Sequence, residues 1–411
     1  MAKQNKPAIR FKGFTDAWEQ RKLTEFVEFF SGLTYTPNDV QENGTLVLRS
    51  SNVSNGEVVD ADNVYVNPQV VNSENVKVGD IVVVVRNGSR SLIGKHAQIK
   101  AFMPNTVIGA FMTGIRSECP EFTNALLNTS RFEEEIAMNM GATINQITGY
   151  MFSKMEFKVP YLDEQKKIGE YFEKLDHLIT LHQRKYDKLQ VLKKAMLEKM
   201  FPKNGSSVPE IRFKGFTDAW EQRKLGEVVE RITRKNENLE STLPLTISAQ
   251  YGLINQNEFF DKRIASKDVS GYFLVRNGEF AYNKSTSSDA PWGAIKRLDR
   301  YESGVLSTLY IVFKILDERK TSSDYIVTYY NTDLWHKGIQ AIAAEGARNH
   351  GLLNVAPADF FETNLTMPKN YAEQQQIGSF FQQLDHLITL HQRELEKLQN
   401  IKKSMLEKMF V

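Results

Sequence analysis

The chain contains two of its own segments twice. A 15-residue segment, IRFKGFTDAWEQRKL, occupies residues 9–23 and returns letter for letter at residues 211–225. A longer segment at residues 164–201 returns with few changes at residues 373–410. A repeat period of about 200 residues indicates a duplicated domain. The near-identical segments serve a function common to both halves, whereas the divergent stretches between them can distinguish two targets.

Composition and charge place few limits on the partners of the chain. Of its 411 residues, 41% are hydrophobic and 25% are charged, and the formal net charge is +2. The apolar run at residues 81–85 is far shorter than the ~20 residues of a membrane-spanning helix. The N-terminal residues lack the apolar stretch of a secretion signal, and a single cysteine, Cys119, excludes an internal disulfide. We therefore expect a cytoplasmic protein that contacts no membrane.

Both copies of the longer segment predict a long helix. Apolar residues recur at alternating steps of three and four from Ile168 to Met200, and the same register runs from Ile377 to Met409. This heptad pattern is typical of a coiled coil, and about 37 helical residues span about 55 Å. The two-fold symmetry of a duplication favours antiparallel pairing within the chain. The residues expected in the seam are Phe172, Leu175, Ile179, Leu189, Phe381, Leu384, Ile388 and Leu398.

The apolar face of each helix is wider than a two-helix seam requires. The residues that widen it are Leu178, Leu181, Leu192, Leu387, Leu390 and Ile401. This surplus predicts that helices of other subunits pack on the pair; the alternative is a plain spacer without partners. Two seam positions are histidines, His182 and His391, for which polar seam contacts are favoured over metal binding.

The shorter repeated segment mixes aromatic and basic residues. Phe11, Phe14 and Trp18 alternate with Arg10 and Lys12 in the first copy. Such a mixture can stack nucleic-acid bases, or it can anchor the segment on its own domain or on a neighbouring helix end. Anchoring is the favoured interpretation, because two identical copies cannot read two different sequences.

The divergent stretches share one pattern of strands and turns. Gly79 and Asp80 precede the apolar run 81–85 as Gly278 and Glu279 precede residues 280–283. Apolar runs rich in β-branched residues predict strands in both stretches. The predicted fold class is therefore α+β, with two α+β domains in tandem joined by the two long antiparallel helices.

Polar loops lie at matching places in the two stretches but differ in sequence. In the first stretch the candidate DNA-binding residues are Arg86, Asn87, Ser89, Arg90, Lys95, His96, Asn145 and Gln146. In the second they are Asn283, Lys284, Ser285, Thr286, Ser287, Ser288, Lys296, Arg348, Asn349 and His350. These residue types read base edges and contact phosphates. Any one of these loops could be an ordinary turn, but paired loops that differ between the halves favour two DNA readers.

The sequence contains no recognisable motif for catalysis or metal binding. The glycine spacing at residues 88–95 does not fit a phosphate-binding loop, and neither a nucleophile elbow nor a His-x-x-x-His zinc spacing occurs. We therefore expect a binding protein that is not an enzyme and carries no cofactor or metal of its own.

Two variable domains that alternate with two near-identical long helices resemble the specificity (S) subunit of type I restriction–modification systems. The residues that carry the resemblance are WEQRKL at the start of each half and the entries to the helices. These entries are PYLDEQKKIG at residues 160–169 and its counterpart at residues 368–378. No single motif is diagnostic; the order and the duplication are.

The resemblance implies a target recognition domain at residues 1–162 and another at 211–371. It implies spacer helices at 163–201 and 372–411, with a linker at 202–210. The implied partners are double-stranded DNA, two methyltransferase (M) subunits and two restriction (R) subunits. S-adenosylmethionine would bind the M subunit, and ATP and Mg the R subunit. The alternative function is a duplicated coiled-coil scaffold that binds a partner other than DNA.

Overall fold

The computed structural model describes residues 6–140, 145–203, 205–248, 251–260, 264–288, 290–343 and 351–411. The chain divides into two compact units. Unit 1 comprises Met1–Arg184 and Gln392–Val411, and unit 2 comprises Lys185–His391. Each unit therefore combines one divergent stretch with the start of one long helix and the end of the other.

Unit 1 contains two four-stranded sheets, of which the antiparallel one is the main sheet of the unit. Its strands are β1 (Glu19–Lys22), β2 (Val27–Ser31), β3 (Val40–Gln41), β4 (Thr45–Leu48), β5 (Val53–Ser54), β6 (Glu57–Val58), β7 (Val64–Val66), β8 (Ile81–Val84), β9 (His96–Gln98), β10 (Thr106–Ile108), β11 (Met112–Ser117) and β12 (Glu156–Val159). The main sheet has the order β2-β11-β8-β9, and a second sheet has the order β10-β4-β7-β3. The helices are α1 (Pro120–Leu127), α2 (Ser130–Asn139), α3 (Gly149–Phe152) and the long α4 (Leu162–Lys199), which continues into unit 2.

Unit 2 repeats the main sheet. Its strands are β13 (Glu221–Lys224), β14 (Val229–Ile232), β15 (Leu245–Ser248), β16 (Gly252–Asn255), β17 (Phe273–Arg276), β18 (Phe280–Asn283), β19 (Ala294–Arg297), β20 (Ser303–Leu306), β21 (Ile311–Ile315) and β22 (Asn364–Met367). Its helices are α5 (Gln256–Phe260), α6 (Ser323–Tyr329), α7 (His336–Ile342), α8 (Pro357–Phe361) and α9 (Tyr371–Met409). The order β14-β21-β18-β19 matches that of unit 1 strand for strand. The α+β fold with two long helices is therefore confirmed.

The same turn precedes the central strand of both main sheets. Gly79 has a φ of +94° and Gly278 a φ of +82°, which is a backbone conformation that other residues rarely adopt. The acidic residue after each glycine closes the turn. Asp80 accepts a hydrogen bond from the backbone N–H of Lys77 at 2.8 Å, and Glu279 accepts one from Arg276 at 2.8 Å. These bonds give a physical reason for the Gly-acid pattern in two otherwise divergent stretches.

The seam residues of the long helices lie in the cores of the units. In unit 1, Phe172 and Leu175 of α4 share a buried cluster with Leu406 and Met409 of α9, and Leu398 packs against it. In unit 2, Phe381 and Leu384 of α9 share a cluster with Met200, which directly follows α4, and Leu189 of α4 packs against it. The end of one helix thus lies beside the start of the other, as antiparallel pairing requires. Two remaining seam residues are Ile179, which is half-buried, and Ile388, which is buried.

Two lysines interrupt the apolar seam, and each pairs with an aspartate on the other helix. In unit 1, Lys402 lies 2.6 Å from Asp176, and in unit 2, Lys193 lies 2.5 Å from Asp385. Both pairs obey one antiparallel register. They contribute to the choice of register more than to stability, since partly exposed ion pairs contribute about 0–1 kcal/mol.

The six residues that widen the apolar face beyond the seam are mostly exposed. Leu178, Leu181, Leu192, Leu387 and Leu390 are between 38% and 45% exposed. Ile401 differs, because it packs against the core of unit 1. No helix within the described ranges is both long enough and apolar enough to cross a membrane.

The shorter repeated segment is an anchor in unit 1. Arg10 donates to both carboxylate oxygens of Glu164, at 2.6 and 2.7 Å, at the start of α4. The backbone N–H of Ile9 donates to the carbonyl of Lys408 at the end of α9, and Trp18 packs edge-on against Phe410. In unit 2 Arg212 makes the same two bonds to Glu373. These contacts match the interpretation of the segment as an anchor.

Replacing Arg10 with alanine should destabilise unit 1 by about 3–5 kcal/mol, because it leaves the carboxylate of Glu164 buried without its partner. The Glu164 side chain is only 2% exposed. Chemical denaturation followed by fluorescence measures the loss. Lys12→Ala, at an exposed position of the same segment, is the matched control and should leave the midpoint unchanged. Equal midpoints for the two variants would contradict an anchoring role of the ion pair.

Candidate nucleic-acid interface

The two candidate loops of unit 1 lie side by side. The loop after β8 pairs with residues 145–147 through an isolated β-bridge between Arg86 and Gln146. The backbone N–H of Ile147 donates to the carbonyl of Val85 at 2.8 Å, and the Asn145 side chain donates to the carbonyl of Gly88 at 3.0 Å. Residues that are about 60 positions apart in sequence therefore form one polar surface.

Unit 2 brings its own loops together in the same way. Ser285 bridges to Leu352, and both the backbone and the hydroxyl of Thr286 donate to the carbonyl of Gly351, at 2.7 and 2.9 Å. The backbone N–H of Leu353 donates to the carbonyl of Lys284. Three candidates of the second loop, Arg348, Asn349 and His350, lie outside the described residues.

Asparagines shape both of the loops that follow the central strands. The Asn87 carbonyl accepts from the backbone N–H of Ser89 at 2.9 Å, and the Asn283 carbonyl accepts from that of Ser285 at 3.0 Å. This is the Asx turn, in which a side chain replaces a backbone turn. The remaining loop side chains are the outward-facing ones: Arg86, Ser89, Arg90, Ser285, Ser287 and Ser288 are exposed, and Lys95 and Gln146 are half-buried.

The structure adds two residues to the surface of unit 1 that sequence reasoning missed. The Arg86 guanidinium lies over the ring of Phe111, with 5.1 Å to the ring centre. The Asn87 side chain donates to the Ser50 hydroxyl at 3.0 Å. Ser50 follows strand β4 as Arg86 follows the apolar run 81–85, so the same strand-end signal could have identified it. A cleft of about 620 Å³, lined in part by Tyr35, Ser50 and Phe111, adjoins this surface.

His96 requires a correction, because it is buried. It begins strand β9, opposite Val83. One ring nitrogen, Nδ1, lies 3.0 Å from the carbonyl of Gly94 and donates to it, while Nε2 accepts from the Asn128 side chain at 3.1 Å. Burial lowers the pKa of His96, so the ring is neutral and both of its nitrogens are occupied. The side chain supports the domain and is not exposed for contact with DNA.

Two lysines of unit 2 also point inward. Lys296 in β19 donates to the Asn331 side chain at 2.9 Å, and burial, followed by the charge of Lys193, lowers its pKa. Lys296 is half-buried and its ammonium group is engaged by Asn331, so its contact with DNA stays a prediction. Lys284 is half-buried; its Nζ donates to the carbonyl of Val355 at 3.4 Å, and burial lowers its pKa.

The surfaces formed by the loops suit recognition of a polar ligand. The surface of unit 1 offers hydroxyl, amide and guanidinium groups, and the described part of the unit 2 surface offers hydroxyl groups. These are groups that contact bases and phosphates. Within the described ranges, no group of three or more His, Cys, Asp or Glu side chains is placed to hold a metal ion.

The sequence of this region matches a known family model, the "Type I restriction modification DNA specificity domain", over residues 15–191. Residues 15–191 are thus similar to type I DNA specificity domains. The match includes both loops of unit 1 and most of α4. The resemblance that the order of segments predicted is thereby confirmed.

Two relatives are specificity subunits of type I restriction enzymes. The chain is 27% identical over 175 residues to the type I restriction enzyme StySPI specificity subunit of Salmonella potsdam, and equally similar to the EcoKI specificity subunit of Escherichia coli K12. Each match covers 40% of this chain and 37% of the relative. The aligned part thus spans well under half the length of these relatives.

The fold similarity extends over the whole chain. The crystal structure of a type I restriction–modification system S subunit from M. genitalium superposes with a TM-score of 0.65, over 99% of each chain. The identity is 13%, so this likeness establishes the fold alone. It includes unit 2, which lies mostly beyond the specificity domain matched at residues 15–191.

Proposed function

We propose that this chain is the sequence-specific double-stranded-DNA-binding subunit of a type I restriction–modification complex. Each unit reads one half of a bipartite site. The chain itself performs no catalysis and holds no cofactor. It acts in the cytoplasm, where the chromosomal DNA lies.

One observation carries this proposal. The same main sheet in both units presents two loops joined by backbone hydrogen bonds, and the loops differ in sequence between the units. A conserved scaffold with different polar loops is the arrangement that two readers of different DNA sequences require.

The long helices have two roles in this proposal. Their length sets the separation of the two half-sites, since a 38-residue helix is about 57 Å long. Their exposed leucines, Leu178 and Leu181 on α4 and Leu387 and Leu390 on α9, dock two methyltransferase subunits. Exposed apolar residues at helical spacing are what a partner helix covers. The methyltransferase would methylate adenine with S-adenosylmethionine, and restriction subunits would cut DNA with ATP and Mg.

Co-expression with the methyltransferase subunit of the same system tests the proposal. N6-methyladenine is mapped across the host genome by single-molecule sequencing. We expect one bipartite motif with a fixed spacer, methylated only when both proteins are present. A stable complex that methylates no motif would refute sequence-specific recognition. Absence of any complex, together with absence of salt-dependent DNA binding, would favour the scaffold function.

A further inference from the structure

Hydrogen bonds in unit 1 separate the side chains that hold the loops from those that remain available. Both ends of the Asn87 amide are used. Its oxygen accepts from the backbone N–H of Ser89, and its nitrogen donates to the hydroxyl of Ser50. The Asn145 amide holds the carbonyl of Gly88. These two asparagines, which the residue code would assign to adenine, are therefore occupied in shaping the surface.

Arg86 is exposed, and its side chain is held by an aromatic ring. Its guanidinium lies 5.1 Å from the ring centre of Phe111, which is itself 56% exposed. The backbone fixes the two residues to one another, because the carbonyl of Phe111 accepts from the N–H groups of Val85 and Arg86, at 3.0 and 3.2 Å. The ring thus limits the orientations of the guanidinium without using its hydrogen-bond donors.

A guanidinium held in this way has a preferred base. It is planar, carries five N–H donors and has no acceptor. Guanine presents two adjacent acceptors, O6 and N7, in the major groove, whereas adenine presents one acceptor beside a donor. We propose that Arg86, held on the face of Phe111, reads a guanine in the half-site of unit 1, with Phe111 as its positioning residue. This inference rests on the proposed function.

Unit 2 has neither the arginine nor the aromatic ring at the two equivalent positions. Strand pairing matches Ile81 with Ile115 in unit 1 and Phe280 with Phe313 in unit 2. Counting from these pairs makes Ser285 the equivalent of Arg86 and Leu309 the equivalent of Phe111. Leu309 is 55% exposed, like the phenylalanine. The duplication therefore supplies a natural comparison in which the aromatic ring and the arginine are both replaced.

The test uses the full chain with its methyltransferase subunit. Four variants are compared with the natural protein by the fraction of each genomic site that is methylated: Arg86→Ala, Phe111→Leu, Phe111→Tyr and, as the matched control, Leu309→Ala. Arg86→Ala should make one guanine position of one half-site degenerate. Phe111→Leu should reduce discrimination at that same position by about fivefold, the effect of a cation–π contact of about 1 kcal/mol. Phe111→Tyr should preserve it, and Leu309→Ala should leave it unchanged.

Two results would overturn the inference while the proposed function stands. The position that Arg86→Ala relaxes could be a base pair without guanine, or Phe111→Leu could lower methylation equally at every position, as a purely structural defect would. Thermal unfolding of Phe111→Leu separates a folding defect, because an exposed residue should leave the midpoint unchanged. If the natural protein gives no methylated motif, the proposed function fails and this inference fails with it.

Discussion

A complex that carries Leu178→Glu and Leu181→Glu should retain one methyltransferase subunit, and one that also carries Leu387→Glu and Leu390→Glu should retain none. Each pair lies on the exposed side of one long helix, the first in unit 1 and the second in unit 2. A docked subunit would bury these leucines. Placing carboxylates there removes about 1 kcal/mol of apolar burial per partly exposed leucine and adds the larger cost of burying unpaired charges. We expect the affinity at each face to fall at least a hundredfold.

Native mass spectrometry of the purified complex counts the methyltransferase subunits directly. Val78→Glu is the matched control, because Val78 is an exposed apolar residue that is not part of either long helix. It should leave two subunits in place. The chain itself should remain folded in all variants, since exposed positions tolerate such changes. If the variant with all four substitutions retained two methyltransferase subunits, the docking surface would lie elsewhere.

Adding one heptad to each long helix should lengthen the unspecified spacer of the DNA motif. Seven residues inserted after Arg184 and seven after Arg393 keep the seam in register and extend each helix by about 10.5 Å, or about three base pairs. Three base pairs also rotate one half-site by about 100° relative to the other, so methylation should become weaker as well. The letters of both half-sites should not change.

Mapping of N6-methyladenine gives the spacer and the half-sites in one measurement. A control protein receives the same seven residues after Ser206, in the exposed segment that follows α4. That insertion should leave the spacer as it was, because it does not lengthen a helix. Methylation of the original motif by the doubly extended protein would contradict the idea that the helices measure the DNA.

The long helices could be predicted because their information is local. A heptad pattern that is repeated in two copies specifies the helix and its apolar face. The matching positions of the loops in the two halves could be predicted, but the backbone pairing of the two loops within one unit could not, because it joins residues about 60 positions apart. It was not visible that Asp176 and Asp385 would pair with the two seam lysines, because the register of an antiparallel pair depends on both helices together.

The positions of His96, which is buried, and Lys296, which is half-buried, show where sequence reasoning stops. Both follow a glycine turn and are polar, so they resemble loop residues. Each lies in a strand at the edge of the main sheet, where the direction of a side chain depends on register and changes with a shift of one residue. Their partners, Asn128 and Asn331, follow helices more than 30 residues away in sequence. Phe111 was missed for the same reason, because only the folded sheet places it beside Arg86.

Unit 1 is built from two segments that are far apart in the sequence, which has a consequence for its biosynthesis. Its core contains Trp18, Phe122 and Phe172 together with Leu406 and Met409, so residues 392–411 complete a domain that begins near the N-terminus. At about 5–20 residues per second, the ribosome needs roughly 10–40 seconds to supply the missing helix end. During that interval the nascent unit 1 exposes the apolar surface that α9 later covers. Unit 2 is one continuous segment and can form its core first. We therefore expect nascent chains stalled before residue 392 to bind chaperones through unit 1.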